Sequence, residues 1–197
     1  MLRAMPPSDL DTIEEVVVIA GRDLVMTRPA DAEALLDEDA FARDEFMPYW
    51  AELWPSAHAL ARWVGVRALH GARVLELGCG LGLPSLVAAS RGASVVATDV
   101  EPAALELLTR NAALNGVEVE TMLVDWGSPD ALVDRAPFDL ALAADVLYEP
   151  AAVEPLLSLL PRLAPRVWLA DPGRAPADGF GDRLRGMEVR RIDAESG

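Results

Sequence analysis

Lysine is absent from this 197-residue chain, so all 17 basic side chains are arginines, set against 32 acidic ones for a net charge of −15. A surface of that sign repels nucleic-acid phosphates and anionic lipid head groups, so neither a nucleic acid nor a membrane is expected as a partner. A basic protein or peptide is compatible with it, and so is a purely solubilising role. The one cysteine, Cys79, excludes an internal disulfide and fits a reducing, cytoplasmic setting. The two histidines, His58 and His70, are far apart and unaccompanied, so no metal is expected. No apolar run is long enough to span a membrane, and residues 1–10 lack the layout of a signal peptide. Repeats and low-complexity segments are also missing. A hydrophobic content of 52 % then describes a globular chain whose length suits one domain, expected as a monomer.

What is present concentrates in one stretch. Val74-Leu75-Glu76-Leu77 reads as a buried strand, Gly78-Cys79-Gly80-Leu81-Gly82 as a glycine-rich turn, and the following residues as a helix leading to a strand that ends on Asp99. Glycines remove the Cβ atoms that hold backbone away from a ligand and permit positive φ in a tight turn. A carboxylate at the tip of the neighbouring strand can accept from both hydroxyls of a ribose. Cys79 inside the loop reads as a small residue that fits, not as a catalytic thiol.

The surrounding pattern alternates. The runs 13–19 and 23–27 flank Ala20-Gly21-Arg22 as a hairpin, and a short helix is expected near 32–36. A helix over 56–66 is capped by Ser56 or begun near Pro55. Strands at 73–77, 94–100, 119–124, 138–143 and 166–170 alternate with helices at 83–91, 102–115, 130–135, 151–163 and 178–184, and a last strand covers 187–192. Alternation of this kind gives an α/β, Rossmann-like, doubly wound and mostly parallel sheet with its ligand at the carboxyl ends of the strands. Residues 1–66 form an N-terminal hairpin and helix packed on a core of 67–197.

The glycine spacing separates two cofactors. A dinucleotide loop places its third glycine where this chain has Leu83, so an NAD-dependent oxidoreductase is disfavoured. The E-x-G-x-G-x-G run from Glu76 to Gly82 instead resembles motif I of the class I S-adenosylmethionine (SAM) methyltransferases. In that family the loop faces the amino-acid end of SAM and the strand-end acid holds the ribose. A full sheet of the family has seven strands whereas six are counted here; either the last is missing or the N-terminal hairpin compensates.

Further constellations agree. Asp125-Trp126-Gly127 follows the third core strand, where a carboxylate and an indole can flank the adenine; the alternative is a turn with an aromatic at the core edge. Asp145 and Tyr148 close the fourth strand, placed to orient a nucleophilic nitrogen. A lysine amine with a pKa near 10.4 arrives charged and must shed a proton before attack. The bland reading of Asp145 is a cap for the next helix. Arg174, in Asp171-Pro172-Gly173-Arg174, is expected to pair with Asp171 and fix its loop.

Tyr49-Trp50-Ala51-x-x-Trp54-Pro55, the Gly78 loop, Asp99-x-x-Pro102, Asn111-x-x-x-Asn115, Asp125-Trp126-Gly127 and Asp145-x-x-Tyr148 together resemble the seven-strand protein lysine methyltransferases. Within them, Trp54-Pro55 and the Asp171 segment are similar to the subgroup acting on the β-subunit of electron transfer flavoprotein, over roughly residues 47–175. The resemblance implies a protein substrate, that flavoprotein subunit or one like it. It implies SAM contacts from Trp54, Glu76, Gly78, Cys79, Gly80, Gly82, Asp99, Val100, Asp125, Trp126 and Ala144, with Asp145 and Tyr148 at the acceptor amine. Other acceptors, a small amine or a ribosomal protein, stay open, as does a SAM-binding module with little catalysis. From composition alone, Trp50, Trp54 and Trp63 anchor the N-terminal helix.

Overall fold

The computed structural model describes residues 10–32, 35 and 48–193, so the helix expected near 32–36 falls mostly outside it. Two strands, β1 (Thr12–Ile19) and β2 (Arg22–Pro29), pair antiparallel about a two-residue turn in which Ala20 and Gly21 both have positive φ. That turn matches the natural strand twist, and it makes Arg22 the first strand residue instead of part of the turn.

The core is a second sheet. Its strands are β3 (Arg73–Leu77), β4 (Ser94–Asp99), β5 (Glu120–Leu123), β6 (Leu140–Ala144), β7 (Arg166–Asp171) and β8 (Glu188–Asp193), in the spatial order β5-β4-β3-β6-β7-β8 with every pair parallel. The central strands are near-continuous apolar runs, Val-Leu-Glu-Leu in β3 and Leu-Ala-Leu-Ala in β6, because helices cover both faces. The outer strands are polar: β8 reads Glu-Val-Arg-Arg-Ile-Asp, and charges on an edge discourage pairing with another chain. The hairpin forms its own sheet and does not supply a strand to this one, while β8 pairs directly with β7.

Helices α1 (Pro55–Gly65), α2 (Leu83–Ser90), α3 (Pro102–Leu114), α4 (Asp130–Val133), α5 (Pro150–Leu163) and α6 (Phe180–Arg183) connect the strands. Pro55, Pro102 and Pro150 each take the first position, where no N–H is needed. Pro55 therefore begins α1, and Ser56 is buried within it with no hydrogen bond to its hydroxyl, so it is not the cap. β6 starts at Leu140, two residues later than expected, because Phe138 N donates to Leu163 O and Asp139 N to Arg73 O outside the ladder. The helix expected at 178–184 is present in shortened form as α6, Phe180–Arg183, with a 3-10 turn, Ala175–Ala177, before it.

The chain's only two asparagines join the hairpin to the core. Asn111 Oδ1 accepts from Thr27 N at 2.7 Å and its Nδ2 donates to Thr27 O at 3.2 Å; Asn115 Oδ1 accepts from Val25 N at 2.9 Å and its Nδ2 donates to Val25 O at 2.7 Å. Four residues of helix rise about 6 Å and two residues of strand about 6.8 Å, so the amides meet the peptide groups of Val25 and Thr27 as a neighbouring strand would. A lone two-stranded hairpin is marginal in water, and four bonds of roughly 1 kcal/mol each hold this one against α3.

In the sheet order, sequence runs outward from β3 in one direction and from β6 in the other. The crevice between their carboxyl ends is the switch point at which sheets of this kind bind ligands. The Gly78 loop follows β3 and Asp145 follows β6, so both stand at that crevice.

Candidate functional site

A cleft of about 890 Å³ opens there, at the upper end of the 300–1,000 Å³ usual for small-ligand sites. All thirteen residues anticipated for the site line it: Trp54, Glu76, Gly78, Cys79, Gly80, Gly82, Asp99, Val100, Asp125, Trp126, Ala144, Asp145 and Tyr148.

The loop after β3 has a shape that only glycine supports. Gly82 caps α2 in the left-handed region at φ 77, and a Cβ there would stand 2.2 Å from Leu108 Cδ1 on α3. A Cβ on Gly78, at φ 62, would lie 2.9 Å from Val146 Cγ1 and 3.4 Å from the Trp126 indole. The backbone thus packs against both neighbours and still presents its surface to the cleft.

Asp99 ends β4 and is 8 % exposed. Gly80 N donates to its Oδ2 at 2.8 Å and Glu101 N to its Oδ1 at 3.0 Å, so the carboxylate ties the glycine loop to the neighbouring strand. Each oxygen has a second lone-pair direction, which leaves acceptor capacity for two hydroxyls in the cleft. Burial raises its pKa, partly opposed by the backbone donors Gly80, Glu101 and Val100.

Glu76 is buried under the loop, where Ser85 Oγ donates to its Oε2. Burial pushes its pKa up to about 8, with the Ser85 hydrogen bond opposing and the Asp99 charge adding. A raised folded-state pKa means the folded protein holds a proton that the unfolded chain releases. The stabilisation is therefore complete below the ordinary carboxylate value of 4.5 and is lost as pH rises through about 8. Thermal unfolding of the cofactor-free protein across this window is expected to show a declining melting temperature, with a shallower decline in Glu76→Gln; parallel curves would contradict the assignment. Cys79 is buried too, and burial, with Asp99 and Glu76 close by, raises its thiol well above the usual range, so it stays protonated and is no nucleophile.

Asp125 serves as a turn residue, its Oδ1 accepting from Gly127 N at 2.8 Å, while lining the cleft beside the Trp126 indole. Trp54 Nε1 donates to Tyr49 O at 2.7 Å, and its ring tilts against Tyr49 at 5.9 Å. Trp54 and Trp50 both line the cleft, and Trp50 and Trp63 also pack on the core, as composition predicts for all three. Tyr49 in turn meets Tyr148 with ring centroids 4.9 Å apart, forming an aromatic rim at the mouth. Burial, then Glu149 and Asp99, push the Tyr148 phenol up to about 12, so it remains a neutral hydroxyl.

Asp145 is 9 % exposed and has φ 57, a left-handed conformation held by its N–H donating to Ala170 O at 2.9 Å. Backbone strain of this kind concentrates where a side chain must be aimed. It does not cap α5, whose N-cap is Glu149. Its Oδ1 is paired with Arg174 Nη1. The expected Arg174–Asp171 pair is correspondingly weak: the same Nη1 is 3.9 Å from Asp171 Oδ2, while Asp171 fixes the loop through Gly173 N at 2.7 Å and Arg174 N at 3.0 Å. Among the described residues the lining carries seven carboxyl side chains against one cation, Arg174. Among the described residues, no group of three His, Cys, Asp or Glu side chains could hold a metal ion, and no helix is long and apolar enough to cross a membrane.

The sequence left Tyr49, Ser85 and the Arg174–Asp145 pair unassigned. Only Tyr49 carried a signal, its place in the aromatic run 49–54.

Comparison with known proteins gives the family and the fold. The profile of a family described as lysine methyltransferase matches residues 47–167. The histone-arginine methyltransferase METTL23 of Xenopus laevis is 40% identical over 116 residues, 55% of this chain and 49% of that protein. The electron transfer flavoprotein beta subunit lysine methyltransferase of the same organism is 33% identical over 136 residues, 65% of this chain and 54% of that protein. The chain thus spans about half the length of these curated relatives. The fold matches the 16S rRNA N2 G1207 methyltransferase of T. Thermophilus, solved with AdoMet and guanosine, at TM-score 0.55 and 20% identity, covering 78% of this chain and 40% of that one.

Proposed function

Because the chain belongs to the lysine methyltransferase family, whose cofactor is SAM, we propose that it transfers a methyl group to a lysine ε-amine of a protein. The observation that carries this reading is Asp145 and Tyr148 at the tip of β6, across one continuous cleft from the Asp99 ribose site. SAM, when bound, supplies a methyl made electrophilic by its sulfonium.

The chain's own residues bind and orient. Asp99 takes the ribose hydroxyls; the amides of the Gly78–80–82 loop and Glu76 face the amino-acid end; Val100, Asp125 and Trp126 border the adenine, with Trp54 and Ala144 completing the enclosure. The excess of carboxylates draws a cationic side chain inward, which suits an acceptor that arrives as an ammonium. The Asp145 carboxylate accepts from the amine nitrogen and fixes its lone pair in line, and the proton leaves through the open mouth. Tyr148 Oη, kept neutral, can donate or accept there, and the Tyr49 and Trp54 rings keep water from the reacting atoms.

A protein like the electron transfer flavoprotein β-subunit is the partner that the relatives support. Arginine is the second acceptor, favoured by one observation: a guanidinium, that of Arg174, already rests on Asp145. In the same reading, residues 1–66 cover a cofactor-binding core of 67–197, and the protein is a cytoplasmic monomer that binds no nucleic acid, supported by its charge and its single buried cysteine.

Incubation with labelled SAM and a lysate of the source organism, followed by mass spectrometry, tests the acceptor. Methyllysine on a discrete protein is expected. Label on arginine selects the second reading, and label confined to RNA or small molecules contradicts both.

A further inference from the structure

We propose that Arg174 is a movable counter-ion, which occupies the acceptor's place on Asp145 and passes to Asp171 when a substrate cation arrives. The proposal rests on the reading above that the acceptor is cationic. Its grounds are the charges at the tips of β6 and β7.

Among the described residues Arg174 is the one cation lining the cleft, and its Nη1 is paired with Asp145 Oδ1. An incoming ammonium therefore meets a carboxylate that is already neutralised. A second seat lies beside the first. Asp171 is fully buried, and its Oδ2 accepts no hydrogen bond from the described residues. That oxygen is 3.9 Å from the same Arg174 Nη1, and a shift of about 1 Å would bring the pair to hydrogen-bonding distance. Arg191 does not fill the seat, since its Nη2 is 3.9 Å from the other oxygen, Oδ1.

A buried acceptor left unpaired is unfavourable by roughly 1–3 kcal/mol, so the second position is prepared before it is used. The backbone of Arg174 stays in place meanwhile, its N–H held by Asp171 Oδ1 at 3.0 Å, and the side chain, about one-third exposed, has room to swing. In this arrangement Arg174 is a positioning residue: it keeps the buried Asp145 paired when no acceptor is present, and it makes a cation that can displace a guanidinium the condition for entry.

Nuclear magnetic resonance of the protein saturated with S-adenosylhomocysteine tests this with n-butylammonium, the cation of a lysine side chain, as the probe. The Arg174 Nε–Hε and Asp171 Cγ signals are expected to move together with Asp145 Cγ, at one common midpoint. Arg174→Met is expected to bind the probe about fivefold more tightly, Arg174→Lys to return towards wild type, and Asp171→Asn to bind about fivefold more weakly. A purely structural Arg174 would move none of these.

An Asp145 signal that responds while Arg174 and Asp171 stay silent overturns the exchange, and so does the absence of any response. Should Arg174→Met fail to fold, the wild-type spectra decide alone. Methyl transfer to lysine with an immobile Arg174 overturns this proposal only. A mobile Arg174 without transfer to any lysine overturns the acceptor reading only.

Discussion

Replacing Asp145 by asparagine is expected to lower the rate of methyl transfer by about a hundredfold or more while leaving the affinity for SAM within about twofold. Asparagine tolerates the left-handed backbone that Asp145 adopts at φ 57, so the fold and the bond from its N–H to Ala170 O survive. What is lost is the charge. The amide oxygen is a weaker acceptor for an ammonium or amine, and the NH2 group can turn a donor towards the nucleophile. Arg174 loses its charged partner on β6 as well. The half of the cleft proposed for the cofactor, at Asp99 and the glycine loop, is built from β3 and β4 and is untouched. Calorimetry with SAM and single-turnover transfer with labelled SAM measure the two quantities separately; undiminished transfer would remove Asp145 from the mechanism.

The opposite split is expected at Asp99. Its replacement by alanine removes acceptors for two ribose hydroxyls, charge-assisted bonds worth roughly 1.5–3 kcal/mol each, so SAM affinity should fall about a hundredfold or more. A second loss compounds the first. Gly80 N, which donates to Oδ2 at 2.8 Å, and Glu101 N, which donates to Oδ1 at 3.0 Å, are left without this acceptor, and the loop that faces the amino-acid end of the cofactor loosens. Asp99→Asn, which can still accept from Gly80 N, should fall between wild type and alanine. Titration calorimetry checks the order, and unchanged affinity in Asp99→Ala would place the ribose elsewhere.

Much of this site is local in sequence, and that part was legible. The apolar run 74–77, three glycines at alternate positions and an acid ending the next strand each follow from short-range rules, and the folded chain brings them to one crevice. The helix start at Pro102 was legible for the same reason, since a missing N–H matters only to the first turn. The hairpin was visible, but its attachment was not. Asn111 and Asn115 reach peptide groups 84 and 90 residues away, and no periodicity encodes such a pairing.

Arg174 was legible only in part. Its sequence neighbour Asp171, three residues off, looked the natural partner, yet β6 and β7 lie side by side and bring Asp145, 29 residues away, into closer contact. Asp171 Oδ1 accepts from the amides of its own turn, Gly173 N and Arg174 N, while its Oδ2 lies 3.9 Å from Arg174 Nη1. The role of the N-terminal hairpin in the sheet was undecidable from pattern alone, because a two-strand ribbon has the same alternation whether or not it joins a larger sheet.

The most direct test is a crystal structure with S-adenosylhomocysteine. The account predicts both ribose hydroxyls within hydrogen-bonding distance of the Asp99 carboxylate, the adenine beside Trp126, and the sulfur directed towards Asp145. A nucleoside bound away from Asp99, or a sulfur turned from Asp145, would contradict it.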